Sequence, residues 1–249
     1  MRYAGLLAFA CAGVAQAQPA VPTMAEPHHH ATYEDALVRV LRVEVAPHER
    51  TLLHEHAVDY FWIAVGASDI VNAIPGQPEV KLTPADGSVR FTRGAFVHVA
   101  RNEGDSPFFN VTIELFRAQT NPRNLCEQVI ATETANCPAA MSRTGGEFSG
   151  AKLWPAFETD QVRVTLITIE PGATLLVDAL ASPPLLINVD DTDGEATLRC
   201  ELPDASERTA LGSRSGDVAT LAKGAQCAVR NPGVSRVRVL AVTFKPAHA

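Results

Sequence analysis

Beyond its N-terminal leader the chain has no apolar run long enough to cross a bilayer, which takes about 20 residues, so no membrane span is expected. Basic clusters are missing as well. With 21 basic against 28 acidic residues and a formal charge of −7, the chain gives phosphate backbones no electrostatic handle, and nucleic acid is excluded as a partner. No Gly-x-Gly-x-x-Gly follows a strand-like run, and neither a phosphate loop nor a Gly-x-Ser-x-Gly elbow is present. Dinucleotide, nucleotide and serine-hydrolase chemistries are thereby set aside. Sustained helical periodicity is also scarce, because 17 prolines and 16 glycines punctuate the chain and favour many short strands.

The leader itself is informative. Met1-Arg2 precedes an apolar run from Ala4 to Val14 and the small-residue triplet Ala15-Gln16-Ala17, the pattern of a signal peptide over residues 1–17 cut after Ala17. Cys11 raises a lipoprotein alternative, which Phe9 and the very short segment ahead of it fit poorly. Export to the periplasm or the medium is expected, and loss of Arg2 takes the charge to −8. Cys126, Cys137, Cys200 and Cys227 survive processing. An even count in an oxidising compartment invites disulfides. The favoured pairs are Cys126 with Cys137 and Cys200 with Cys227, the alternative being buried reduced thiols. Residues 18–33, proline-rich and carrying His28-His29-His30, read as a flexible entry segment.

From there the grammar is that of strands. VRVLRVEV, residues 38–45, alternates apolar and polar side chains at the period of a half-buried strand. YFWIAVG, SVRFTRG, FVHVARN and FFNVTIELF follow, separated by turn residues, and only residues 127–135 look briefly helical. The pattern then repeats. VRVTLITIEPG from Val162 lies over VRVLRVEVAPH from Val38 at a shift of 124, and Cys227-Ala-Val-Arg-Asn231 lies over His98-Val-Ala-Arg-Asn102 at a shift of 129. Two copies of one β unit are predicted, over residues 34–116 and 161–246, joined by a connector over residues 117–160. Asn102 and Asn231 fall in equivalent places, which points to turn-making.

Within the first copy, HEHAVDYFWIAVG places His54 and His56 two apart, so on a strand their side chains share one face while Glu55 turns away. His98 on a later strand completes a three-imidazole set suited to iron, manganese, zinc, nickel, cobalt or copper. Burying such a pair without partners would cost about 1–3 kcal/mol per unsatisfied group, which favours metal binding over plain core histidines. Tyr60 and Asp59 are candidates for an additional ligand or a supporting hydrogen bond, with Tyr60 as plain core the competing reading. Phe61, Trp62, Phe96 and Phe108 are candidates for the pocket wall, and the acidic DDTDG around Asp190, Asp191 and Asp193 reads as a solvated hairpin tip.

The paired histidines, the closing Gly66, Gly94 and the His98 to Asn102 motif together resemble the cupins, and the match covers both family motifs in order. The resemblance implies an all-β chain of two tandem jelly-roll barrels with a short partly helical connector, and a divalent transition metal in the first barrel. His48 stands where the family has its first glycine, so that turn is expected to be made differently, and Tyr60 stands where the family has a glutamate ligand. In the second copy Asp178, Leu180 and Cys227 fall at the histidine positions, which reads as a degenerate site. Three functions are compatible: a metal-dependent enzyme on a small molecule, of oxygenase or isomerase type; a non-catalytic small-ligand binder; or a structural bicupin associating as a homodimer.

Overall fold

The computed structural model describes residues 19–124, 150–178, 185–191, 199–201, 208–221 and 226–245. In the first half lie β1 (Val21–Pro22), β2 (His29–Glu34), β3 (Val38–Val45), β4 (His54–His56), β5 (Asp59–Val65), β6 (Ile70–Ala73), β7 (Val80–Leu82), β8 (Val89–Thr92), β9 (Phe96–Asn102) and β10 (Phe108–Leu115). The second half holds β11 (Arg123–Asn124), β12 (Ala151–Glu158), β13 (Val162–Ile169), β14 (Thr174–Asp178), β15 (Leu185–Asn188), β16 (Arg199–Glu201), β17 (Arg208–Ala210), β18 (Val218–Thr220), β19 (Gln226–Arg230) and β20 (Val237–Phe244). Among the described residues no helix is long and apolar enough to cross a membrane.

Each half folds as two facing sheets. The orders β2-β3-β10-β5-β8 and β4-β9-β6-β7 in the first half recur as β12-β13-β20-β15-β18 and β14-β19-β16-β17 in the second, with β1 and β11 added at the ends. The two segments matched in the sequence fall on equivalent strands of this plan, β3 with β13 and β9 with β19, and β3 pairs with β10 from Phe108↔Val45 as β13 pairs with β20 from Val162↔Phe244. Two tandem jelly-roll barrels result.

Period-two alternation explains why the central strands are apolar on both faces. In β3, Leu41, Val43 and Val45 point into the first barrel, while Val38 and Val40 point out. In β10 Val111, Ile113 and Leu115 point out, as do Phe61 and Ile63 in β5. Those outward side chains meet Phe157, Val162, Val164, Ile187 and Leu240 of the second half in one continuous core, with the Phe61 and Phe157 rings 5.0 Å apart. Phe61, expected on the pocket wall, is thus turned away from it. Each large side chain buried there contributes about 1.5–3 kcal/mol. Polar ties flank the seam: Arg238 donates to Asp86 at 2.7 Å and pairs with Asp190, and Arg42 reaches Asp191 at 3.0 Å. Asp191 therefore ties the barrels directly, and Asp190 holds the Arg238 that reaches Asp86, where a solvated tip was expected; Asp193 lies outside the described residues.

Two edge strands lie where the sequence pattern showed none. The entry segment, expected to be flexible, forms β2 and pairs with β3, and β12 forms its counterpart within the expected connector. Both carry a register shift, between Ala31 and Tyr33 and between Pro155 and Phe157. A bulge breaks the period of two, which is why alternation did not betray them. Residues 127–135 lie outside the described residues, as do Cys126 and Cys137. Cys200 and Cys227 stand on the adjacent strands β16 and β19, Cys200 in register with Val229.

Buried asparagines lock the turns. Asn102 donates from Nδ2 to the Val45, Ala46 and Ser106 carbonyls and accepts from the Gly104 N–H, and Asn231 repeats the scheme with Ile169, Ser235 and Gly233. The turn after β3 is also conserved in geometry between the halves. His48 has φ 62° and its counterpart Gly172 has φ 74°. The expectation of a different turn is corrected: the same left-handed residue is used, filled by a side chain that tolerates it less well than glycine.

His48→Gly is expected to stabilise the protein by about 0.5–1 kcal/mol, whereas Gly172→Ala, with no neighbour within 4 Å of the added Cβ, should destabilise it by a similar amount. Urea unfolding midpoints measure both. Phe61→Ala should cost about 3–5 kcal/mol and act on both barrels, so the halves should still melt in one transition.

Candidate metal centre

β4 alternates as the sequence requires, with His54 at 0% and His56 at 2% exposure and Glu55 outside. His54 faces His98 directly across the β4–β9 pair, their ring centroids 4.4 Å apart. β2 brings a further imidazole. The His29 ring lies 4.7 Å from that of His54 and 5.5 Å from that of His56, and one ligand atom from each of His29, His54 and His56 falls within 4.8 Å of the others. The Nε2 atoms of His54 and His56 are 3.3 Å apart, the spacing of two nitrogens sharing one ion at about 2.0–2.1 Å each. His98 adjoins this triad, its ring 5.4 Å from that of His56.

The outer nitrogens of His29, His54 and His98 each meet an acceptor, whereas that of His56 is buried near Glu114 without a formed hydrogen bond. His29 Nδ1 is 2.6 Å from Glu26 Oε2, His54 Nδ1 is 2.9 Å from the Leu52 carbonyl, His98 Nδ1 contacts Asn72 Oδ1, and His56 Nδ1 is 3.5 Å from Glu114 Oε1. A proton held on Nδ1 leaves the Nε2 lone pair pointing inward, which is the arrangement metal-binding imidazoles need. The Nε2 of His98 is buried without a partner. An orphaned nitrogen beside three convergent imidazoles fits a divalent transition ion and fits little else.

The electrostatics agree. Burial drives His54 down to about 4, opposed by its Leu52 hydrogen bond and assisted by the neighbouring imidazoles. His56 and His98 are lowered for the same first reason, so these rings are neutral imidazoles at neutral pH. Burial works against ionisation of Glu26 and Glu114, yet hydrogen bonds from His29 and His28 to the former, and the nearby His56 ring together with the Arg39 guanidinium at the latter, hold both below the usual carboxylate range. Two buried carboxylates thus lie behind the imidazoles.

Of the residues singled out in sequence, His54, His56 and His98 come together. Asp59 does not join them: its carboxylate accepts from the Gly94 N–H at 2.8 Å, the Gln119 N–H at 2.7 Å and Arg93 at 3.1 Å. That clasp seats Gly94, where a Cβ would lie 2.6 Å from the Val58 carbonyl carbon, and so sets where β9 begins. Tyr60 stacks on His56 with ring centroids 4.1 Å apart. Burial raises its phenol above the ordinary range, against the Thr92 hydrogen bond, so it packs as a neutral ring rather than an anionic ligand. In the second half the register sets Val177, not Asp178, opposite Cys227, and Leu180 lies outside the described residues.

His29, Glu26 and Glu114 were missed. Their one signal was the His28-His29-His30 triplet, dismissed with the proline-rich leader. Glu114 sits in a β-branched run that reads as core, and only its inward register, opposite Arg39 and Tyr60, reveals it.

The cluster forms one side of a cavity of about 250 Å³ whose other walls include Trp62, Ile70, Leu82, Phe96 and Phe108. No family model and no curated protein sequence matches the chain. Solved structures do. AerE from Microcystis aeruginosa aligns over 89% of this chain and 99% of its own at 10% identity, with a TM-score of 0.56. A variant of oxalate decarboxylase from Bacillus subtilis aligns over 89% of this chain and 76% of its own at 12% identity, with a TM-score of 0.54. A cupin domain from Bordetella pertussis aligns over 36% of this chain and 92% of its own at 20% identity, with a TM-score of 0.34. The two longer alignments share this chain's fold of two tandem jelly-roll barrels.

The depressed His54 value sets a pH dependence. Between about 4 and 6.5 the unfolded chain takes up a proton that the folded chain refuses, so stability of the metal-free protein should fall as pH drops from 6.5 to 4. The loss should be on the order of 2–3 kcal/mol, with a plateau above pH 6.5. Denaturant titrations across that range would read it, and His54→Gln should flatten the slope.

Proposed function

We propose that this chain is an exported cupin-fold protein that binds a divalent transition metal through His29, His54 and His56, with His98 beside them, and acts on a small molecule admitted to the adjoining cavity. The observation that carries the reading is the convergence of His29, His54 and His56 within 4.8 Å of one another, with Glu26, the Leu52 carbonyl and Asn72 accepting at the outer nitrogens of His29, His54 and His98. Residues held only for packing need no such agreement.

Bound there, the ion would supply Lewis acidity and open positions for water or dioxygen. The chain's own contribution is separable. Tyr60 fixes the plane of His56 by stacking, Glu114 and Glu26 add negative charge behind the ligands, and the apolar wall restricts water. That the Bacillus subtilis oxalate decarboxylase has Mn(II) centres adds support for a divalent ion, though not for the same reaction. Export rests on the leader before residue 18, and periplasmic or secreted placement makes the Cys126–Cys137 and Cys200–Cys227 bridges part of the same proposal.

Protein purified without an affinity tag should retain close to one divalent ion per chain by elemental mass spectrometry. His54→Ala and His56→Ala should abolish retention, and Glu26→Gln should weaken affinity about 10–100-fold. Wild-type protein that neither retains nor takes up iron, manganese or zinc, with an unmoved melting temperature, would refute the proposal. Dioxygen uptake or turnover over a substrate panel then separates enzyme from binder.

A further inference from the structure

One guanidinium on the cavity wall is left over. Arg90, on β8, stands in register with Trp62 on β5, and both line the cavity. Its Cζ lies 5.6 Å from the Trp62 ring, which carries Phe108 edge-on at 6.2 Å. Its Nη1 is buried and has no hydrogen-bond partner. Several other arginines that are not left to solvent are paired with carboxylates: Arg39 reaches Glu114, Arg101 reaches Glu79 and Arg238 reaches Asp190. A buried donor without an acceptor is destabilising, the more so when it is charged, and arginine stays protonated regardless.

The cavity's other polar side chains are largely engaged with one another. Asn72 is held by His98, Thr112 donates to Asn110 at 2.8 Å, and Thr51 accepts from the Ala100 N–H at 2.9 Å. What faces the space uncommitted is one planar cationic fork, the imidazole cluster, and walls of aromatic and aliphatic carbon. A planar fork matches a carboxylate in two parallel hydrogen bonds, and the remaining wall matches an apolar body.

We propose that Arg90 is the anion-recognition residue of this cavity and that its ligand is a small monocarboxylate with an apolar body, aromatic or branched aliphatic. This deepens the functional reading above by naming a substrate class for the same cavity. The carboxylate seats on Arg90, the body lies against Trp62, Phe96 and Phe108, and the end remote from Arg90 faces the imidazoles. A small dicarboxylate such as oxalate lacks the part that the wall selects.

Benzoate, its neutral isostere benzamide and oxalate serve as probes, titrated calorimetrically into chelator-treated and metal-loaded protein. Benzoate should bind wild type at least tenfold more tightly than either benzamide or oxalate. Arg90→Gln should erase the preference over benzamide while leaving metal stoichiometry unchanged, and Arg90→Lys should keep part of it. The proposal is overturned by equal binding of benzoate and benzamide to wild type, by an undiminished benzoate preference in Arg90→Gln, or by benzoate binding that needs metal and ignores Arg90. The first comparison needs no variant, so it stands even if Arg90→Gln fails to fold. Arg90-dependent binding to chelator-treated protein survives a failure of the metal reading, whereas failure here leaves metal retention untouched.

Discussion

The burial of two large sheets against each other is the constraint on which the remainder of this protein hangs. β3, β5 and β10 must present carbon outward to meet β12, β13, β15 and β20, and must present a different set of side chains inward. Because successive residues on a strand face opposite ways, the outward demand leaves the inward positions free to be polar. Glu114 and Thr112 lie inward on β10 between the outward Val111, Ile113 and Leu115. In β5, Tyr60 and Trp62 lie between Phe61 and Ile63 in the same way. The second barrel thereby has a structural role: it covers the back of the sheet on which the first barrel's cavity is built.

The imidazole cluster is held from outside inward. Four rings come from β2, β4 and β9; those of His29, His54 and His98 are oriented by acceptors on different segments, from Glu26 before β2 to Asn72 on β6, and that of His56 lies between Tyr60 and Glu114. Closing the barrel and orienting the ligands are consequently one event. Desolvation keeps the His54, His56 and His98 rings neutral, and neutral imidazoles in a dry place with their lone pairs converging are costly until something accepts them. Arg90 presents the same imbalance with the opposite sign of demand, a cation awaiting an anion.

Much of this was legible in the chain because it is written in short-range rules. The strand periodicity of residues 38–45, the repeat at shifts of 124 and 129, the shared face of His54 and His56 and the turn role of Asn102 all follow from spacing alone. What escaped did so for identifiable reasons. β2 and β12 carry bulges that erase alternation, His29 lies in a segment whose prolines mimic a linker, and Asp59 turned out to be spent on Gly94, Arg93 and Gln119. His48 was read as a departure from a glycine turn, although an imidazole side chain merely occupies the left-handed conformation that glycine occupies at residue 172.

By itself, then, the sequence determined the strand plan, its duplication and the placing of two imidazoles on one face, since each depends on residues a few positions apart or on self-similarity. Only the tertiary structure decided that His29 and Glu26 join them, that Glu114 backs His56, that Phe61 faces the other barrel, and that Arg90 looks into the cavity unpaired. Those outcomes depend on which sheet edge a bulged strand docks against and on the register between strands far apart in the chain. Local spacing carries no information about either.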